Sequence, residues 1–323
     1  MTKDNTNKTR VQAIPRINIP HYANVNYMQL GSRHAEVVYM QSKPKANIKK
    51  LSKNTYKILS TGEVKEYKPH EGKQIPIIKK SMRRLEQLIK ANFDTVGNAD
   101  NALFVTLTYK GAKMKDFDQL YDDFEDFFKR LKYEHRKHKL DYIAVAEPHA
   151  SGGWHMHMLV KSDQPVLFID NKDMTRIWRH GRTTTVRLKS DDCGAYYTAY
   201  FSNVEAPIED DMAKGHPKDD FTFTKDEETG KQKRFKKGDR LRFYPKHMKF
   251  YRCSRGIVRP VKEQIPYSEV PKAMGKPKRT STYEIVKTYD DKQYFDEISL
   301  EEVRGSVIKS LNVIQREIYK KPT

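Results

Sequence analysis

One stretch limits the folds open to this chain more than any other: LDYIAVAEPHASGGWHMHMLVKS, residues 140–162. It predicts a hairpin. A strand covers about 141–147, a loop carries Pro148 and Gly152–Gly153, and a second strand covers about 154–161. Side chains alternate across a strand, so His155 and His157 share one face while Trp154, Met156 and Met158 form an apolar core face on the other. Just upstream lies the clearest helix in the sequence. Phe117, Leu120, Tyr121, Phe124, Phe127, Phe128 and Leu131 recur at i, i+3, i+4. Its acids (Asp116, Asp118, Asp122, Asp123) come early and its bases (Lys129, Arg130, Lys132) late, as the helix dipole favours.

Other segments extend the pattern. Residues 1–45 show no sustained period and read as an arm or irregular subdomain. Met82, Leu85, Leu88 and Ile89 predict a helix beginning near Lys80. ALFVTLTYKG predicts a strand in which Leu103, Val105 and Leu107 alternate with Phe104, Thr106 and Thr108. NKDMTRIWRHG predicts a helix ended by Gly181, TTTVRLK a strand, and DDCGAYYTAYFSN a helix capped by Asp191 or Asp192. Residues 204–240 have little apolar period, 260–283 read as a Pro- and Lys-rich linker, and 299–318 as a final helix. No repeat of solenoid period occurs. The expected division is a basic N-terminal arm or subdomain at 1–79, a mixed helix-and-strand domain at 80–260, and a linker with C-terminal helix at 261–323.

Charge narrows the partners. Among 323 residues, 62 are Lys or Arg and 42 Asp or Glu, a net charge of +20. Such an excess points to a polyanion, either nucleic acid or an anionic membrane face. No stretch approaches the about 18 uncharged apolar residues of a membrane span, and the polar N-terminus lacks a signal core. Nucleic acid is the expected partner, no membrane is expected, and the expected location is the cytoplasm. Two cysteines, Cys193 and Cys253, can build neither a disulfide framework nor a four-cysteine zinc site. KQKRFKKGDRLR (231–242) carries seven bases and one acid. Its Lys233, Arg234, Lys236 and Lys237 could track a phosphate backbone, with binding that weakens steeply in salt; a solvated loop reads the same way. Arg252, Arg255 and Arg259 lie near Tyr244, Phe250 and Tyr251, a mixture suited to single-stranded DNA or to an edge hairpin.

Two groups of residues carry chemistry. His155 and His157, about 7 Å apart along their strand, can ligate one divalent ion as neutral imidazoles. Glu147 ends the apolar run YIAVAE across the hairpin and is a candidate third ligand. With oxygen and imidazole donors and no thiolate, Mg²⁺ or Mn²⁺ suits the set. Taken singly, these residues also read as satisfied histidines and a solvated strand end. The second group is Tyr196 and Tyr200, i and i+4 on one helix face, with Tyr197 and Phe201 displaced by about 100°. The tidy division turns Tyr197 and Phe201 into the core and Tyr196 and Tyr200 toward the histidines, although all four could pack. A phenol of pKa about 10 is a poor nucleophile at neutral pH, but it can attack a phosphodiester that a metal ion neutralises and orients. The product would be a phosphotyrosine link and a free sugar hydroxyl, formed without ATP.

The order of these motifs resembles that of the HUH-superfamily rolling-circle replication initiators, in particular the Rep proteins of small plasmids and phages of Gram-positive bacteria. FVTLTY at 104–109 resembles the family's first motif, WHMHMLV at 154–160 its histidine metal motif, and AYYTAYFSN at 195–203 its tyrosine motif. IWRHG at 177–181 and YRCSRGIVRP at 251–260 resemble flanking segments. The resemblance covers roughly 80–260. It implies an α+β fold, a ferredoxin-like or RRM-like HUH endonuclease domain with a central antiparallel sheet, helices on one face and the histidines on a middle strand. It also implies origin-specific, metal-dependent nicking of single-stranded DNA. The tyrosine joins the 5′ phosphate, the 3′ hydroxyl primes a host DNA polymerase, and a later strand transfer closes the displaced circle. Tyr196 is the expected nucleophile and Tyr200 a second or auxiliary group.

The family's motif often carries a lysine three residues after a tyrosine. Those positions are Ala199 and Asn203, which leaves Lys189 and Arg187, on the preceding strand, as candidate substitutes. No G-x-x-x-x-G-K-[ST] occurs, so a host helicase is implied. The competing readings are a relaxase or tyrosine transposase of the same superfamily, a metal-dependent hydrolase using water, and a non-enzymatic sequence-specific DNA-binding regulator.

Overall fold

The computed structural model describes residues 18–40, 48–52, 54–66, 74–94, 99–110, 116–148, 153–188, 193–206, 221–225, 232–236, 239–245, 248–274, 278–289 and 310–320. In chain order these form β1 (Asn24–Leu30), β2 (His34–Met40), β3 (Ile48–Lys50), β4 (Thr55–Ile58), β5 (Val64–Glu66), α1 (Gln74–Phe93), β6 (Ala99–Leu107), α2 (Phe117–Glu134), β7 (Leu140–Pro148), β8 (Trp154–Ser162), α3 (Asn171–Trp178), β9 (Thr183–Leu188) and α4 (Cys193–Ser202). There follow β10 (Val204–Ala206), β11 (Phe221–Lys225), β12 (Gln232–Lys236), a 3-10 turn at Asp239–Phe243, β13 (Tyr251–Cys253), β14 (Glu263–Pro266), α5 (Val270–Met274), β15 (Lys278–Tyr289) and β16 (Ser310–Lys320). The chain divides into two units. One comprises 1–29, 33–71 and 261–323; the other comprises 30–32 and 72–260.

The larger unit is built on an antiparallel sheet of order β13-β7-β8-β6-β9. Its first four strands in sequence, with α2 and α3 as crossovers, run β6-α2-β7-β8-α3-β9. That is the split βαβ arrangement of a ferredoxin-like fold, with β8 and β6 in the middle. Alternation along the strands sorts residues to two faces. Leu103, Val105, Leu107, Ala144, Ala146, Met156, Met158 and Val160 meet α2 and α3. Phe104, Ile143, Val145 and Leu159 meet α1 and α4. Helices therefore cover both faces rather than the one implied by the resemblance: the crossover helices take one, and α1 and α4 take the other.

Local signals explain most ends. Asp116 caps α2, its carboxylate accepting from the backbone N–H groups of Asp118 and Gln119. α1 begins at Gln74 rather than near Lys80. Pro76 falls in its first turn, where a missing N–H costs nothing. α3 ends at Arg179, which takes the left-handed conformation (φ 69°), and not at Gly181. Gly181 serves another need: a β-carbon there would collide with the backbone of Thr108 and Tyr109. Within 204–240, where the sequence has little apolar period, β10, β12 and β11 form a three-stranded sheet.

The smaller unit holds a five-stranded sheet of order β14-β1-β2-β16-β15 and a three-stranded sheet β3-β4-β5. Val25, Tyr27, Ala35, Val37, Val270, Met274 and Tyr319 form its core. Three expectations are corrected. Residues 24–40 are two strands, not an irregular arm. The expected linker contains β14, α5 and the start of β15. Residues 310–318, expected to be helical, lie in β16, paired with β2 on one side and β15 on the other; the earlier part of that expected helix lies outside the described residues. Pairing with strands distant in sequence overrides the local period. Among the described residues, no helix is long and apolar enough to cross a membrane.

Candidate active site

The hairpin register brings the candidate ligands together. Glu147 on β7 lies directly opposite His155 on β8, and Val145 lies opposite His157. Glu147, His155 and His157 therefore share the α1/α4 face of the sheet, and their ligand atoms all lie within 4.8 Å of one another. The two imidazole centroids are 6.4 Å apart, close to the separation expected from strand rise. Glu147 and His157 are buried and His155 is half-buried. One carboxylate and two imidazoles without a thiolate fit a hard or borderline divalent cation.

His157 is held on three sides. Its ring stacks on Phe104 of β6 (5.5 Å, 5° between planes). Its Nδ1 lies 3.1 Å from Thr106 Oγ1, on the residue directly opposite in β6. Its Nε2 contacts the Glu147 carboxylate. Burial pushes its pKa down, which favours the neutral ring. When Nδ1–H donates to Thr106, the Nε2 lone pair faces Glu147, and two acceptors side by side are a donor set for a cation. Thr106 has no distinctive sequence signal; it is one Thr in an alternating strand.

Helix α4 supplies the tyrosines. Gly194 lets it sit close on α1, because a β-carbon there would collide with the Lys90 side chain and approach Glu86 O to 3.0 Å. Tyr197 and Phe201 are buried in the α1/α4 core, whereas Tyr196 and Tyr200 are 57% and 43% exposed. Of the two sequence readings, the split into a buried and an exposed pair is the one observed, and of the exposed pair Tyr200 is the one in contact with a histidine. The Tyr200 ring meets His157 edge-on at 5.3 Å. Burial, and then the charge of Tyr196, raise the Tyr200 pKa above the ordinary phenol value. Tyr196 lies one turn earlier, its ring edge-on to Tyr197 at 5.0 Å. Ala199 is exposed and Asn203 buried, with Asn203 N–H donating to Ala199 O at 2.9 Å.

Residues 102–205 match the family model of the replication-associated protein ORF2 group. Over this segment the chain is similar to replication-associated proteins. The match begins in β6 and ends in β10, so it contains Glu147, His155, His157, Tyr196 and Tyr200. No curated protein and no solved structure matches the chain.

Around the matched segment, the expected DNA-binding bases separate. Arg187 on edge strand β9 is ion-paired with Asp100. Lys236 lies 3.6 Å from Asp239. Lys233 and Arg234 belong to β12, with only their backbone described, and Lys189 and Lys237 lie outside the described residues. The aromatics that suited either single-stranded DNA or an edge hairpin are largely core: Tyr244 and Phe250 are buried, and Tyr244 Oη donates to Phe201 O at 3.3 Å. Arg252 pairs with Glu125 at 2.6 Å and lies over the Tyr121 ring at 3.8 Å. A residue not singled out in sequence stands at the site instead. Arg240, in the 3-10 turn, is ion-paired with Glu147.

Proposed function

We propose that this protein is a rolling-circle replication initiator. It nicks one strand of its origin in a metal-dependent reaction and transfers the strand through a 5′-phosphotyrosine intermediate. One observation carries the reading: Tyr200, on the exposed tyrosine face of α4, lies against His157 of a Glu/His/His cluster, within the segment similar to replication-associated proteins. Glu147, His155 and His157 would hold Mg²⁺ or Mn²⁺. Such an ion neutralises the charge of the scissile phosphate and orients it for in-line attack.

The remaining work falls to side chains. Tyr196, the more exposed phenol, acts as nucleophile, and Tyr200 as second or auxiliary group. The new bond joins Tyr196 Oη to phosphorus, the bond to the 3′ oxygen breaks, the phenol loses its proton to water, and the 3′ oxygen gains one. One phosphodiester replaces another, so no nucleotide is consumed, and the freed 3′ hydroxyl can prime a host polymerase. Since the sequence contains no P-loop, a host helicase does the unwinding. The net charge of +20 supports a DNA partner.

The test is adduct formation by the full chain on labelled single-stranded fragments of its own replicon, with Mn²⁺, Mg²⁺ or EDTA. A metal-dependent, protease-sensitive adduct lost in Tyr196→Phe is expected. Loss only in Tyr200→Phe keeps the reaction and moves the nucleophile. Binding without an adduct, on a fragment shown to contain the origin, rejects the reaction in favour of a DNA-binding regulator.

A further inference from the structure

The proposed reaction leaves one charged group at the site without a role. Glu147 is a buried carboxylate, and a buried charge requires a partner. The balancing charge is Arg240, only 18% exposed at its side chain and paired with Glu147. Its backbone is anchored by the residues that follow it. Leu241 is buried in the α1/α4 core, and Tyr244, also buried, donates to the last turn of α4. Arg240 thus belongs to the same packed assembly as the tyrosine helix, although it comes from a segment some forty residues later in the chain.

A cation bound by Glu147, His155 and His157 would compete with the guanidinium for one carboxylate. Two positive charges within a few ångströms repel, so binding displaces the guanidinium. Its backbone stays anchored by Leu241 and Tyr244, which keeps the side chain beside the cluster. A displaced, permanently charged fork of N–H donors is suited to a tetrahedral oxyanion. Resting on the reaction proposed above, we propose that Arg240 is the counter-ion of Glu147 in the metal-free protein and a second ligand for the scissile phosphate in the metal-loaded one. It then supplies the positive charge that Ala199 and Asn203 do not.

The test uses the full chain with Arg240→Ala, Arg240→Gln and Arg240→Lys. Two quantities are measured: Mn²⁺ affinity by titration without DNA, and the rate of adduct formation at saturating Mn²⁺ and single-stranded origin DNA. Circular dichroism confirms folding, and Arg240→Gln, which keeps size and polarity, serves if the alanine variant unfolds. Removing the competing charge should tighten Mn²⁺ binding by about fivefold or more. Removing the phosphate ligand should slow the adduct by about 100-fold, with partial recovery in Arg240→Lys or on adding guanidinium ion to Arg240→Ala. An unchanged adduct rate beside an active wild type overturns the phosphate role and leaves the reaction standing. Weaker Mn²⁺ binding in folded Arg240→Gln overturns the counter-ion role, because it shows that Arg240 supports the site instead of competing for it. If the wild type itself forms no adduct, the tyrosine reaction falls and the phosphate role with it; the counter-ion role is then decided by the Mn²⁺ titration.

Discussion

The two faces of the central sheet are made by the same strands yet differ in kind. Toward α2 and α3 the buried core is apolar: Leu107, Met156, Phe124, Phe127 and Trp178 are fully buried and interlock. Toward α1 and α4 the core is equally dense at Phe104, Ile143 and Leu159, but the same strands also bury Glu147 and His157 there. A fold gains nothing from a buried carboxylate that needs an arginine to balance it. The apolar face gives the site its rigidity, and the polar end of the other face gives the site its chemistry.

The sharpest way to separate the faces is to truncate each. Phe127→Ala should lower unfolding stability by about 4 kcal/mol in urea titrations. His155→Ala, at a half-buried position, should move stability by about 1 kcal/mol or less while weakening Mn²⁺ binding about 100-fold. If His155→Ala unfolds the chain, the polar end is structural and the contrast fails. A smaller effect is expected from Thr106→Val, which keeps the shape but removes the oxygen beside His157 Nδ1. Mn²⁺ affinity should fall about tenfold with little change in stability; unchanged affinity would show that Thr106 does not orient the ring.

The smallest effect is one the faces share. Burial raises the pKa of Tyr121 on the α2 face and of Tyr197 and Tyr244 on the α1/α4 face. The unfolded chain loses these protons near pH about 10, while the folded chain keeps them. The stability contributed by the protonated phenols is complete below that pH and declines as pH rises above it toward the folded-state values. Melting temperature should therefore fall above pH about 10, and Tyr197→Phe should shallow that fall. A flat profile would contradict the burial of these rings.

What was legible in the sequence follows from range. The hairpin, α2 and the division of α4 rest on contacts within a few residues, and alternation or helical spacing records them directly. The Glu147–His155–His157 cluster needed only hairpin register. Arg240 was hidden because it comes from a basic run that reads as solvated, and its partner is distant in sequence. Thr106 was hidden because a cross-strand contact leaves no mark on its own strand. The pairing of β16 with β2 joins opposite ends of the chain, and Val313, Ile314 and Ile318 suit either a helix or a strand until that partner is present.

The most direct measurement is of where the DNA ends up. The full chain is incubated with Mn²⁺ and a single strand spanning the origin, digested, and the peptide covering α4 is examined by mass spectrometry. The account predicts a nucleotide joined through its 5′ phosphate to Tyr196. Nicked DNA bearing a free 5′ phosphate, with every α4 tyrosine unmodified, would contradict it and assign cleavage to water.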